Sequence, residues 1–180
     1  MTQLPKRKQI RLKDYDYSQN GFYFITICTK DRKKLFGMLV DGKINLNDIG
    51  NIVDFTWNDL INHNNIKLHQ YVIMPNHIHG IIEICNRRAD LQASKIPEII
   101  RQFKTFSSKR INEYLKRNGR EPFSMKEIWQ KSYYEHIIRN EDDYLKRVEY
   151  MLNNPQKLEL RISDELLSSN LKSVGDKNET

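Results

Sequence analysis

A chain of 180 residues is the length of one domain with a tail, long enough to bury a core. Lysine and arginine total 30 against 23 acidic residues, a net charge of +7 with a pI near 9.3; a polyanionic partner is implied, nucleic acid most simply, with a membrane surface as the rival. No stretch approaches the roughly 20 apolar residues of a spanning helix, MTQLPKRKQI lacks the apolar core of a signal peptide, and Cys28 and Cys85 sit in separate apolar runs, which reads as buried reduced thiols in a cytoplasmic protein rather than a zinc cluster.

Residues 1–20 read as a basic arm, with Lys6, Arg7, Lys8, Arg11 and Lys13 close together and Tyr15 and Tyr17 following. FYFITICT, from Phe22 to Thr29, is β-branched and aromatic and predicts a buried strand. Asp41-Gly42 within MLVDGKIN predicts a hairpin. Ile49, Ile52, Val53, Trp57, Leu60 and Ile61 recur at helical spacing, with Asn45 or Asn47 placed to cap them. KLHQYVIM (67–74) and HIHGIIEIC (77–85) flank the Pro75-Asn76 turn as a second hairpin. The polar stretch 86–97 reads as a loop ending at Pro97.

A helix is expected from Glu98 to Leu115, with Ile99, Ile100, Phe103, Phe106, Ile111 and Tyr114 on one side and Asn118-Gly119 as its stop. Residues 128–139 (IWQKSYYEHIIR) suit a strand. Residues 141–153 suit a helix with the apolar stripe Tyr144, Leu145, Val148, Met151 and Leu152, ended by Pro155. This order predicts an α+β sandwich of the ferredoxin-like βαββαβ kind: a central antiparallel sheet, an extra hairpin in the N-terminal part and a following C-terminal helix. The domain would span 21–157 and a polar tail 158–180. Such folds host many functions, so function has to be argued from side chains.

His77-Ile78-His79 opens a strand just after a turn. Alternation puts both imidazoles on one face, roughly 7 Å apart at the backbone, with Ile78, Ile82 and Ile84 on the other. Two imidazoles so placed can converge on one divalent ion; equally, the pair can be a chance occurrence on a half-exposed strand. A structural zinc site would need four ligands, whereas open positions would suit catalytic Mg²⁺ or Mn²⁺. His63, His69 and His136 read as structural.

Among nine tyrosines, Tyr144 falls in the apolar stripe of the last helix. Tyr150 falls opposite, with Lys146, Arg147, Asn153 and Asn154 at three and four residues. A phenol among cations and amides suits a phosphodiester, and the Asn154 amide oxygen suits a hard cation. From the helix alone, a surface tyrosine followed by a helix stop is the better fit.

Met74-Pro75-Asn76-His77-Ile78-His79-Gly80 closely resembles the signature of single-tyrosine HUH transposases, two histidines around a bulky apolar residue. Trp129-Gln130 through Tyr134, His136 and Arg139, then Tyr150 and Asn154-Pro155, look like the REP-associated tyrosine transposases, relatives of bacterial insertion-sequence transposases. IRLKDYDYS and GFYFITICTKDRKKLFG are similar to members of that group, so the resemblance runs over residues 8–157. It implies Tyr150 as nucleophile and Mg²⁺ or Mn²⁺ held by His77 and His79. The related transposases carry glutamine four residues after the tyrosine as a third ligand, where this chain has Asn154.

The resemblance further implies cleavage of single-stranded or hairpin DNA through a 5′-phosphotyrosine, with no nucleotide cofactor and no membrane partner. Lys146, Arg147 and the N-terminal cations would hold the DNA backbone, Tyr133 would stack on bases or equally well pack in the core, and His136 and Arg139 would support the site. A monomer is expected ahead of a dimer. Two other classes fit the residues. A non-catalytic nucleic-acid-binding module of the same fold needs neither metal nor covalent capture. A metal-dependent phosphodiesterase using water tolerates loss of Tyr150.

Overall fold

The structure is a computed structural model that describes residues 19–85 and 94–160. Lys6, Arg7, Lys8, Arg11, Lys13, Tyr15 and Tyr17, most of the expected 86–97 loop, and the tail beyond 160 lie outside the described residues. Strands β1 (Gly21–Cys28), β2 (Gly37–Val40) and β3 (Lys43–Leu46) are followed by helix α1 (Asp48–Asp59). Next come β4 (Ile66–Met74), β5 (His77–Ile84), α2 (Ile96–Arg117), the single turn α3 (Met125–Ile128), β6 (Tyr134–Ile138) and α4 (Glu141–Leu152).

Four strands form one sheet in the order β4-β5-β1-β6, antiparallel throughout. Helix α1 connects β1 to β4 across β5, and α2 connects β5 to β6 across β1. These two split crossovers are the ferredoxin-like arrangement. The β2–β3 hairpin is separate; Asp41 and Gly42 both take positive φ, 49° and 71°, as a two-residue hairpin turn requires.

Strand alternation divides the buried side chains between two layers. Tyr23, Ile25 and Ile27 of β1 and Ile78, Ile82 and Ile84 of β5 join Val53 and Trp57 of α1 and Ile99, Ile100 and Phe103 of α2 in the main core. Phe24, Ile81 and Ile138 face the other way, toward Met151 of α4, with Tyr144 and Val148 packed around them. Both central strands are covered on both faces, which is why they read as nearly unbroken apolar runs. Gly80 is the exception in β5: a Cβ there would stand 2.4 Å from Trp57 Cζ2, so the glycine is the space the indole occupies.

The termini follow local chemistry. Asn47 caps α1 by accepting from the Gly50 amide at 2.9 Å, and Asn140 caps α4 by accepting from the Asp143 amide at 2.9 Å. Helix α2 starts two residues earlier than expected, because Pro97 belongs to its first turn, where its missing N–H costs nothing. Past its end, Gly119 has φ 66°, and Gly119 and Arg120 donate back to Lys116 O and Leu115 O.

Two expectations fail. The strand expected over 128–139 is only β6, preceded by α3 and an isolated bridge from Thr29 to Trp129. Trp129 is drawn into the α2 core, its Nε1 donating to Ser107 Oγ at 3.0 Å. Lys104 Nζ donates to the carbonyls of Gln130 (2.8 Å), Lys131 (3.3 Å) and Ser132 (3.2 Å), so these are turned away from any ladder. The stripe of α4 is also narrower than expected. Tyr144, Val148 and Met151 turn inward, whereas Leu145 and Leu152 are 55% and 60% exposed. Pro155 sits at the start of a further helical run over 154–160. Among the described residues, no helix is long and apolar enough to cross a membrane.

Candidate active site

The face of the sheet beneath α4 carries the polar side chains. On β5 the alternation places His77 and His79 there; on β1 it places Phe24, Thr26 and Cys28, with Thr26 opposite His79 and Cys28 opposite His77. A cleft of about 710 Å³ opens at this point, lined by His77, His79, Thr26, Arg32, Gln130, Tyr133, Arg147, Tyr150 and Asn154 among others.

The two imidazoles converge. His77 Nε2 and His79 Nε2 are 3.0 Å apart. Their other nitrogens are held from behind: His77 Nδ1 is 2.6 Å from Asn76 Oδ1, and His79 Nδ1 is 2.7 Å from Thr26 Oγ1. With Asn76 Oδ1 as acceptor, His77 Nδ1 carries the hydrogen and its Nε2 offers a lone pair. Burial, reinforced by the Arg32 cation, lowers the His77 pKa to about 4. Burial, then the neighbouring His77 and Arg32, lowers that of His79 to about 3. Both rings are therefore neutral at neutral pH, the form that ligates metal.

A right-angled pair of nitrogen ligands at about 2.1 Å from an ion would stand about 3.0 Å from each other, the separation observed. The residues thus fit a divalent ion, with two ligands oriented by hydrogen bonds behind them. Among the described residues no third histidine, cysteine or carboxylate joins them; Glu83, on the same face, pairs with His69 at 2.9 Å instead. Asn154 lines the same cleft. Its amide nitrogen donates to Tyr150 O at 2.8 Å, so the side-chain oxygen is the atom that could serve a cation.

Tyr150 is 40% exposed and stands over the histidines. Its ring centroid is 5.2 Å from that of His79 and 6.1 Å from that of Phe24. Arg147 lies over Phe24 at 5.6 Å. It is held by Asp143, whose carboxylate it meets at 3.3 Å and which also stands 2.7 Å from His136 Nε2. Burial would raise the Asp143 pKa, but the His136 hydrogen bond and the nearby charges outweigh it and hold the carboxyl below its usual range. His136 is not part of the cleft lining but touches Asp143 and Arg147, its Nε2 2.7 Å from Asp143 Oδ2 and 3.2 Å from Arg147 Nη2.

The other candidates divide. Tyr133 is on the cleft wall. Lys146 is on the outer side of α4 with Leu145, Glu149 and Asn153, because it lies next to Arg147 around the helix, not above it. Arg139 lines a different cleft. His63 faces Asp59 and Phe106, far around the fold. Cys28 is buried, its thiol pKa raised chiefly by that burial, while Cys85 is only half-buried, contrary to expectation.

Thr26, Arg32, Asp143 and Lys157 (its Nζ 5.2 Å from the Tyr150 ring) were not singled out from sequence, and Asn76 entered only as part of the turn and motif before the histidines. Only Asn76, beside the histidine pair, carried a local signal; the rest reach the site through pairing and packing.

The family model described as IS200-like transposase matches residues 18–154. An uncharacterized Haemophilus influenzae protein is 39% identical, the match covering 83% of this chain and 88% of that one. A second H. influenzae protein, named for the REP-associated tyrosine transposases, is 27% identical over 79% of this chain and 74% of its own. The solved structure of a REP-associated tyrosine transposase bound to a REP hairpin superposes with a TM-score of 0.58 at 21% identity, over 82% of this chain and 73% of that one; the likeness is one of fold.

Proposed function

The chain belongs to the IS200-like transposases, and on that premise we propose that it cuts and rejoins single-stranded DNA through a phosphotyrosine at Tyr150. One observation carries the reading: the tyrosine, two inward-facing imidazole nitrogens 3.0 Å apart, and an arginine share one cleft. His77, His79 and the Asn154 oxygen would hold the metal, Mg²⁺ or Mn²⁺. That ion, when bound, would supply Lewis-acid polarisation of the scissile phosphate.

The chain's own residues do the rest. Arg147 and Arg32, both on the cleft wall, neutralise phosphate charge and set the backbone in place. Tyr150 Oη attacks phosphorus in line, opposite the departing oxygen. The new P–O bond forms as the P–O3′ bond breaks, the tyrosyl proton passes to solvent, and the 3′ oxygen takes up a proton and leaves as a hydroxyl. The product is a 5′-phosphotyrosine; attack by another 3′-hydroxyl reverses the step and joins strands without a nucleotide cofactor. A hairpin with an unpaired flank is the substrate we favour, supported by the hairpin bound to the structural relative and by the flexibility that in-line attack demands. The N-terminal cations would grip its stem.

The test uses end-labelled hairpin oligonucleotides with unpaired flanks and Mn²⁺. A denaturation-resistant protein–DNA adduct should form with wild type, fail with Tyr150→Phe and survive Tyr144→Phe. Cleavage without any adduct, or an adduct retained by Tyr150→Phe, overturns the assignment; metal-dependent cleavage by Tyr150→Phe would show water to be the nucleophile.

A further inference from the structure

A second cleft, of about 450 Å³, lies on the same face of the sheet beside the N-terminal end of α4. Three half-buried rings line it: Phe22 of β1, His69 of β4 and Tyr144 of α4. Their centroids are 5.1 Å (Phe22–His69), 5.9 Å (Phe22–Tyr144) and 5.9 Å (His69–Tyr144) apart. His69 is fixed in place, its Nε2 2.9 Å from Glu83 Oε2 and its Nδ1 3.4 Å from the Tyr144 hydroxyl. Arg139 contributes to the same lining. The chemistry at Tyr150 uses none of these groups.

The two clefts are consecutive along three elements. On β1, Phe22 lines the second and Phe24 the first, about 7 Å apart along the strand. On α4, Tyr144 lines the second and Tyr150 the first, about 9 Å along the axis. On β6, Ile138 lines the second and Tyr134 the first. A single strand lying over Tyr150 and continuing along α4 meets the second cleft one or two nucleotides later, with Arg147 behind it and Arg139 ahead.

We propose that this cleft is a base-binding subsite: it takes one unpaired nucleobase of the strand whose phosphate lies at Tyr150, stacked against the Phe22–His69–Tyr144 rings with Arg139 over its edge or phosphate. The inference rests on the single-strand reading of the Tyr150 site. Aromatic rings are sequence-tolerant platforms for bases, and because Glu83 already orders the His69 ring, little side-chain freedom is lost when a base arrives. A base within a paired stem cannot enter; a flank base can. The subsite therefore measures out which phosphate is presented to Tyr150.

The full chain carrying Tyr150→Phe, which binds without cutting, is used to enrich strands from a hairpin library with randomised flanks. Each flank nucleotide of an enriched strand is then made abasic in turn, and binding is followed by fluorescence anisotropy. One position near the cleavage point should cost about 5- to 150-fold in affinity. That position should cost nothing further once His69→Ala is added. Arg139→Ala, at an exposed position, should weaken the same position selectively; it keeps the test decisive if His69→Ala fails to fold. Equal abasic penalties with and without both substitutions overturn the subsite, even where wild type still forms its phosphotyrosine adduct. No enrichment of any single strand overturns the functional reading and the subsite together.

Discussion

Replacing Gly80 by alanine probes how the core places the histidines. The new Cβ would meet Trp57 Cζ2 at 2.4 Å, Tyr71 Cβ at 3.1 Å and Trp57 Cε2 at 3.2 Å, whereas carbon atoms settle at about 3.5–4.0 Å. The indole would have to retreat by about 1 Å. It has nowhere to go: Trp57 is fully buried, edge-on to Phe103 at 5.4 Å and tilted against Tyr71 at 6.1 Å. Overpacking of this kind costs about 1–3 kcal/mol, and at about 2–4 °C per kcal/mol for a chain of this size the Tm should fall by about 2–12 °C. Thermal and urea melts of Gly80→Ala, Trp57→Phe and the double variant form a cycle. The smaller ring should relieve the clash, so the double variant should be more stable than the sum of the single losses by about 1 kcal/mol. Because His79 precedes Gly80 on β5, DNA cleavage should fall further than the folded fraction does. Additive losses, or an unchanged Tm for Gly80→Ala, would refute the packing argument.

Other expectations follow from the contacts around the cleft. Thr26→Val removes the hydroxyl behind His79 and should weaken Mn²⁺ binding about 10- to 100-fold; calorimetry giving wild-type affinity would count against the imidazole pair as ligands. Asp143→Asn removes the negative charge that holds Arg147 and His136, and since these partners are partly exposed it should slow cleavage only about two- to fivefold, with Arg147→Ala slower still; a rate unaffected by Asp143→Asn would show that Arg147 needs no such anchor. Asp59 accepts from Arg110 at 2.5 Å and from Asn62, and these bonds hold its carboxyl below the usual range despite partial burial. A depressed folded pKa stabilises above the unfolded value of about 4 and is lost as pH falls through the folded one. Asp59→Asn should therefore flatten the acid limb of the stability curve while lowering stability at neutral pH, and identical limbs for variant and wild type would refute the pairing.

Much of this protein is written locally. The Asp-Gly turn placed the β2–β3 hairpin, which has no buried residue, and periodicity placed β1, α1, the β4–β5 hairpin and α2, because each buries a face whose pattern spans only a few neighbouring residues. It placed His77 and His79 on one face for the same reason, and the resemblance carried by the residues around them, Tyr150 and Asn154 indicated the family that the matching model supports. Where a segment's fate depends on distant partners, local pattern failed. Residues 128–133 look like strand, but Lys104 claims three of their carbonyls and Ser107 claims Trp129. Leu145 and Leu152 look like core, but the sheet under α4 offers apolar cover only along Tyr144, Val148 and Met151.

The candidate ligands and nucleophile are therefore nominated in the chain itself: residue type and spacing within one element put His77, His79 and Tyr150 forward, and the family resemblance, not the spacing, favours them over a chance pair and a surface tyrosine. Their assembly is decided by tertiary structure. Thr26 stands behind His79 only because β1 pairs with β5 in one register. Arg147 rather than Lys146 enters the cleft only because α4 docks with one particular face toward the sheet. Register and docking angle are set by the simultaneous burial of residues far apart in sequence, and no short window of residues contains that information.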